Sequence, residues 1–161
     1  MSLYNGYTTL LLNAISSGML TPSGNGPVTP YPELIVYAAA VIPPPSQKIT
    51  TEVELIKWQV RFPQPPDDPI NYITTSPDGN TRYLNMLPVT DALTIGDGEA
   101  TFFRLNGVSA LSNGSIFALP VLQGTVTDKN GSGPLKLTTT TVGQGVYTRA
   151  SLLRISLPIN S

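Results

Sequence analysis

The segment IKWQVRF, residues 56–62, carries the clearest structural signal in the chain. Apolar and polar side chains alternate through it, and the apolar members are Ile56, Trp58, Val60 and Phe62. A period of two with β-branched and aromatic members is typical of a strand that buries one face. The segment therefore predicts a β-strand whose other face, with Lys57, Gln59 and Arg61, meets solvent.

Upstream of this strand the sequence changes character twice. The run LIVYA, residues 34–38, is apolar throughout and predicts a strand buried on both faces. Residues 8–19 space apolar side chains three and four apart, which predicts one short helix within an N-terminal arm, residues 1–20. Residues 21–32 are rich in proline and glycine and predict a loop.

Downstream, segments with strand character recur between turn signals. They are Thr101–Leu105, Ile116–Leu122, Thr125–Thr127, Leu135–Val142 and Val146–Leu157. Asn106-Gly107 predicts a turn after the first segment, and Pro120 predicts an edge position or a bulge in the second. In the last segment, Leu153, Ile155 and Leu157 share one face, with Arg154 and Ser156 opposite.

The proline-rich residues 63–98 predict a long, irregular loop, with a reverse turn where Pro77 holds the second position. Turn signals roughly every 8–12 residues beyond it are typical of a sandwich or barrel. We therefore expect one mainly β domain spanning residues 1–161, an antiparallel β-sandwich or barrel-like structure. It should carry one short N-terminal helix and extended loops at 21–32 and 63–98.

Composition excludes several classes of function. The chain of 161 residues has no histidine and no cysteine, a charged fraction of 12% and a net charge of −1. Disulfides, Cys/His zinc sites, cysteine nucleophiles and imidazole chemistry are therefore impossible. Nine Lys and Arg residues leave no basic footprint, and no apolar run is long enough to cross a bilayer. We expect neither a nucleic-acid nor a membrane partner, and no secretory signal, because no basic residue precedes Lys48.

Carboxylates are the remaining acid–base candidates, and two groups of them have alternative interpretations. Asp67-Asp68 is either a carboxylate dyad or a solvated turn between prolines, and the turn is favoured. Asp97-Gly98-Glu99 offers oxygen ligands to calcium or forms a turn, and it lacks the further carboxylates of a calcium loop. Serines have only lysines as possible bases. We therefore predict no catalytic, cofactor-binding or metal-ligating residues, no cofactor, and no enzyme activity.

The aromatic side chains allow a pocket or a core. Trp58, Phe62, Phe102 and Phe103 line a ligand pocket in one interpretation and pack inside the sheet in the other. Their alternating placement favours packing. The glycine pairs at 24/26, 131/133 and 143/145 predict turns, because none extends to a phosphate-binding fingerprint.

The order of several motifs resembles a known family. The motifs are EATFFRL at 99–105, LQGTV at 122–126, GPLKL at 133–137, VGQG at 142–145 and SLLRISLP at 151–158. They resemble small virion proteins of tailed bacteriophages, the capsid cement or decoration proteins, which share an A-T-(W/F)-F-R strand, a Q-G-T-V strand and a similar final hairpin. Members of that family are shorter, so residues 21–32 and 63–98 look like additions, and Phe102 stands where tryptophan is common.

The resemblance implies a non-enzymatic structural protein on the exterior of a virion, made in the host cytoplasm. It would bridge and stabilise major capsid protein subunits, and would be a homo-oligomer on the capsid. Aromatic side chains of its arms would be buried against neighbours, among them Tyr4, Tyr7, Tyr31, Tyr72 and Tyr83. The alternative is a tail, neck or fibre component with a receptor- or carbohydrate-binding β-sandwich.

Overall fold

A computed structural model describes residues 31–63, 66–110 and 116–158. Within these ranges the backbone forms twelve β-strands and no helix, so the expectation of a mainly β fold is confirmed. The strands are β1 (Glu33–Ala38), β2 (Val53–Arg61), β3 (Ile73–Thr75), β4 (Thr81–Pro88), β5 (Ala92–Leu93), β6 (Gly98–Glu99), β7 (Phe102–Ala110), β8 (Ile116–Asp128), β9 (Leu135–Leu137), β10 (Thr141–Val142), β11 (Tyr147–Thr148) and β12 (Leu153–Pro158). The same part of the chain contains no helix that could span a membrane.

The main sheet closes on itself. Its strand order is β12-β9-β8-β7-β1-β2-β4-β3, and β12 also pairs with β4. The ring of pairings therefore runs β4, β2, β1, β7, β8, β9, β12 and back to β4, with only β8 and β9 parallel. A ring of paired strands is a β-barrel, which leaves far fewer unpaired backbone groups than an open sheet.

Strand β1 is buried on both faces, as its apolar run predicts. Leu34 and Val36 belong to the main core cluster inside the barrel. Ile35 and Tyr37 point outward and form a second cluster with Phe102. The Tyr37 and Phe102 rings stack with their centroids 4.9 Å apart. The two-sided burial explains why this strand has no polar face.

Strand β2 also matches its sequence pattern. Ile56, Trp58 and Val60 are buried in the main core, whereas Gln59 and Arg61 are exposed. Phe62 follows the end of the strand and is buried too. Because the inward side chains of β2 are large and apolar, this strand forms one wall of the barrel core.

Residues 63–98 do not form one extended loop, and the expectation of a continuous irregular segment was wrong. They contain β3 and the eight-residue strand β4, whose Leu84 and Met86 are buried in the main core. The prolines that suggested a loop flank this strand or end it at Pro88. The reverse turn is confirmed, since the Gly79 N–H donates to the Ser76 carbonyl over 2.9 Å between β3 and β4.

Asn106-Gly107 is not a turn, which corrects a second expectation. Strand β7 continues through it to Ala110, and the β7–β8 register shifts between Leu105 and Asn106. Asn106 faces Pro120, and Val121 is the extra residue on β8. Proline has no N–H to donate to the ladder, so the irregularity falls where the sequence predicts a bulge.

The final part of the chain is more divided than its sequence suggests. Residues 135–142 form β9 and β10, and residues 146–157 contain β11 and most of β12. The short strands pair across to the 92–99 region, β10 with β6 and β11 with β5. Leu153 and Ile155 are buried while Arg154 is exposed. This confirms the prediction that the two apolar side chains share one face of the strand, with Arg154 on the other. The predicted helix at 8–19 and nearly all of the 21–32 loop lie outside the described residues.

Candidate functional site

A cavity of about 540 Å³ opens beside the connection between β9 and β12. These strands are antiparallel neighbours, so their connection lies at one end of the barrel. Ile56, Trp58 and Leu153 line the cavity and also belong to the main core, so its floor is the barrel interior. We call it the mouth cavity. Its volume lies within the roughly 300–1,000 Å³ usual for small-molecule sites, and barrel mouths are frequent places for them.

Three kinds of side chain line the mouth cavity. The apolar ones are Ile56, Trp58, Leu137, Val142, Val146, Ala150, Leu152 and Leu153. The hydroxyl-bearing ones are Thr94, Thr138, Thr139, Thr141, Thr148 and Ser151. Among the described residues, the charged ones that line it are Lys136 and Arg149, and both are cationic. The site therefore combines an apolar floor with hydroxyl groups and positive charge.

Trp58, one of the lining residues, carries an unusual polar atom. The side chain is 1% exposed, and its Nε1 is buried without a hydrogen-bond partner. No other buried side-chain nitrogen or oxygen in the described part of the chain is left in this state. An indole N–H is a donor only, and leaving a buried donor unpaired costs about 1–3 kcal/mol.

A contrasting polar cluster lies on the outer face of β7 and β8. Arg104 is 4% exposed and donates from Nε to Gln123 Oε1 over 2.7 Å. Its other two nitrogens donate to the carbonyls of Gln47 (2.7 Å) and Pro44 (3.0 Å). Gln123 Nε2 donates to the Pro43 carbonyl over 2.7 Å. We call this cluster the proline-loop clamp, because it holds residues 43–47 against the barrel.

Next to the clamp is a shallower cleft of about 480 Å³ that contains both charge signs. Glu33, Glu54, Lys57 and Arg104 line it together with Tyr37. Burial, followed by the charge of Glu54, raises the pKa of Tyr37 to about 12. Lys48 lines the cleft as well, so three basic and two acidic side chains meet here, whereas the charged side chains described at the mouth cavity are all cationic.

The carboxylates singled out in the sequence hold local structure. Asp68 accepts two hydrogen bonds from Arg61, at 2.7 and 2.9 Å, and this contact raises the pKa of Arg61. Asp97 accepts the Gln144 N–H over 2.6 Å, and Glu99 accepts the hydroxyls of Thr140 and Thr141. Asp97 and Glu99 therefore fasten residues 140–144 to the strand β6 region.

The structure also shows which acidic groups it brings together. Among the described residues, no three acidic side chains come close enough to hold a metal ion. Asp67 is exposed beside Asp68, in the short segment after β2. The Ser76 hydroxyl and the Asn80 N–H donate to Asp78, and the serine contact lowers the pKa of that carboxyl. These contacts account for Asp78 as a turn residue.

Most of the aromatic side chains pack as the core interpretation expects. Phe62 and Phe103 lie in the main cluster, and Phe102 lies in the second. Trp58 takes both roles, because it fills the core and lines the mouth cavity. Among the arm aromatics, Tyr72 packs edge-on against Phe62, and Tyr83 lies 4.6 Å beneath the Arg154 guanidinium.

Apolar side chains also gather on the outside of the barrel, where β5 runs beside β2 and β11. Leu93 and Tyr147 face each other in the β5–β11 register. Ile95 is two residues beyond Leu93 on extended backbone, so the two share a face. Val53 lies close to the residue that follows Ile95, because its Cγ1 is 3.0 Å from the position that a Cβ atom on Gly96 would take. We call Val53, Leu93, Ile95 and Tyr147 the apolar patch, and each is substantially exposed, Tyr147 to 68%.

Two of the motifs behind the sequence resemblance are neighbours in the structure. Arg104 and Phe103 of β7 face Gln123 and Gly124 of β8. A side chain at Gly124 would lie 2.7 Å from the Phe103 ring and 2.7 Å from Pro134. Arg104 and Gln123 form the proline-loop clamp, and the absence of a side chain at Gly124 leaves space for the Phe103 ring in the core.

No family model, no curated protein and no solved structure matches this chain.

Proposed function

We propose that this protein is a non-enzymatic structural component of a tailed-phage virion, a capsid decoration protein that bridges major capsid protein subunits. The observation that carries the proposal is the apolar patch. It puts a leucine, an isoleucine, a valine and a tyrosine together on the outside of a barrel whose core is apolar. Exposed apolar patches of this kind mark protein–protein contact sites.

The motif resemblance supports the same function. The motifs supply the proline-loop clamp and the paired strands β7 and β8, which make the barrel a rigid support. The patch lies on β2, β5 and β11, on strands other than those that hold the clamp. A rigid support with a separate contact surface is what binding at many equivalent positions on a shell requires, because little conformational entropy is then lost on binding.

The partner that fits this patch is an uncharged, apolar area on the outer face of the shell. Asp91 near the patch has Arg149 as a counter-charge 3.1 Å away, and Asp97 and Glu99 are engaged by residues 140–144. Few charges are therefore free to attract an oppositely charged surface. Tyr147 is the side chain expected to contribute most, because tyrosine is enriched at the centres of protein interfaces.

The test is to add purified protein to heads assembled without it and to count the bound copies. We expect hundreds of copies per head and greater resistance of the heads to heat. Leu93→Asp places a charge in the patch at an exposed position and should reduce binding at least tenfold. Ser132→Asp is the matched control, since it adds the same charge in the exposed turn between β8 and β9.

Two results would overturn the proposal. A handful of copies per particle would support a tail, neck or fibre component in place of a shell protein. Full binding of the Leu93→Asp protein, with its barrel intact by circular dichroism, would show that the apolar patch is not the contact surface.

A further inference from the structure

We propose that the mouth cavity binds a small amphipathic anion, a molecule with an apolar body and one carboxylate. The inference goes beyond the structural role in a virion and does not depend on it. It rests on the cavity's size, its lining chemistry and the unpaired N–H of Trp58.

The charge of the lining selects for an anion. Lys136 and Arg149 line the cavity, and no acidic side chain in the described part of the chain does. Arg149 Nε is 3.1 Å from Asp91, but the arginine side chain is 84% exposed, so this ion pair is well hydrated and weak. A ligand carboxylate therefore meets two cations near the opening, and hydroxyls such as those of Thr138 and Thr139 donate to it as well.

The interior of the cavity selects for an apolar body. Ile56, Leu137 and Leu153 line it and form part of the barrel core or pack against it. A methylene group moved from water into such surroundings gains roughly 0.8 kcal/mol. A sugar presents hydroxyl groups around its whole ring, and several of them would face these apolar side chains without a partner. The lining therefore favours an amphipathic anion over a carbohydrate.

Trp58 adds a buried hydrogen-bond donor to the residues that line the cavity. Its N–H has no acceptor among the described residues, and the hydroxyls of Thr94 and Thr148, which also line the cavity, lie 3.2 Å from each other. A ligand oxygen that reaches this floor would accept the indole hydrogen. Since Nε1 is covered by its neighbours, this contact needs a small movement of the lining side chains.

The experiment uses Trp58 as its own reporter, because it is the one tryptophan in the chain. The probe is decanoate, titrated below its micelle-forming concentration while tryptophan emission is recorded. Decylamine carries the same tail with a positive charge, and decyl glucoside carries it with a neutral sugar. We expect a saturable change in emission with decanoate, and at least tenfold weaker binding of the other two.

Charge variants separate specific binding from adsorption. Lys136 and Arg149 are exposed, so the double variant Lys136→Gln/Arg149→Gln should keep the barrel and bind decanoate at least tenfold more weakly. Lys129→Gln removes one positive charge in the β8–β9 turn, outside the cavity, and should bind as the parent protein does. Equal binding of all three probes, no saturable response, or undiminished binding by the double variant would each overturn the proposal. Preference for decyl glucoside would overturn it in favour of a carbohydrate site.

Discussion

The proline-loop clamp and the mouth cavity differ in whether their buried polar groups have hydrogen-bond partners. Arg104 carries a full charge into the protein, and each of its three nitrogens donates a hydrogen bond. Trp58 carries only a neutral N–H, and no described residue accepts a hydrogen bond from it. A buried network with every donor satisfied rigidifies a fold, whereas a buried donor without a partner destabilises it. The difference is the reason for the structural role given to the clamp and for the ligand-binding role proposed for the cavity.

The largest expected effect on stability comes from removing Arg104, which tests the structural role of the proline-loop clamp. Arg104→Met keeps the length of the side chain but leaves the carbonyls of Pro44 and Gln47 and the Gln123 side chain without their donor. Hydrogen bonds to charged groups contribute about 1.5–3 kcal/mol each, so we expect a loss of at least about 3 kcal/mol in the free energy of unfolding. Urea denaturation measures it. A loss below about 1 kcal/mol would mean that residues 43–47 are held by other contacts.

The next effect concerns pH and the tyrosine beside the clamp. The pKa of Tyr37 rises from 10 to about 12 because the hydroxyl is buried, so at high pH the unfolded chain loses this proton first. Stability from this group is complete below pH 10 and is lost as the pH rises towards 12. Each pKa unit is worth about 1.4 kcal/mol, so the shift from 10 to about 12 gives a loss on the order of 3 kcal/mol in the free energy of unfolding over the full titration.

Absorbance titration of tyrosinate and unfolding curves at several alkaline pH values measure this effect. Tyr37→Phe should remove one late-titrating tyrosine and flatten the alkaline fall in stability. A titration in which the variant and parent curves coincide would contradict the assignment.

A smaller effect on stability is expected at Trp58, and it tests whether the indole N–H is unpaired. Trp58→Phe removes the unpaired N–H together with part of a buried ring. The gain from losing an unsatisfied donor and the cost of the space left behind are each about 1–3 kcal/mol, so they nearly cancel. We expect stability within about 1 kcal/mol of the parent, measured by circular dichroism during urea denaturation. A loss above 3 kcal/mol would show that Nε1 has an acceptor and would remove the contrast with Arg104.

The smallest effect on stability is expected at Arg61, which serves as an exposed counterpart to the buried Arg104. Arg61 holds Asp68 with two short hydrogen bonds, yet its side chain is 46% exposed. Exposed ion pairs contribute about 0–1 kcal/mol, so Arg61→Gln should cost less than about 1 kcal/mol. If its cost equals that of Arg104→Met in the same denaturation experiment, burial is not what distinguishes the clamp.

Sequence patterns predicted the strands whose environment is simple. Strand β2 has one face inside the barrel and one outside, so its alternation survives into the structure. Strand β4 escaped prediction because Asn85 is fully buried in its middle, between Leu84 and Met86. Contacts with Asn71, Thr74 and Arg154 satisfy this amide, and they come from other segments that no local pattern reveals.

The mouth cavity was even less accessible to sequence reasoning. Its lining comes from β2, from Thr94 and from residues 136–153, which the barrel brings together. The threonine run at 138–141 is the one local signal, and it gives no hint of the cations beside it. Trp58 was correctly interpreted as a core residue, but a sequence cannot show that a buried donor lacks a partner.

The pairing of β12 with β4 has a consequence for the synthesis of the chain. Sixty-nine residues separate Asn85 from Arg154, whose side chains join across this pair over 2.9 Å. Until the ribosome has delivered β12, the edge of β4 has no partner on that side, and the barrel core around Leu84 stays open to water. Contacts of such long range slow folding and prolong exposure of aggregation-prone edges. Lowering the growth temperature during expression should therefore raise the soluble yield.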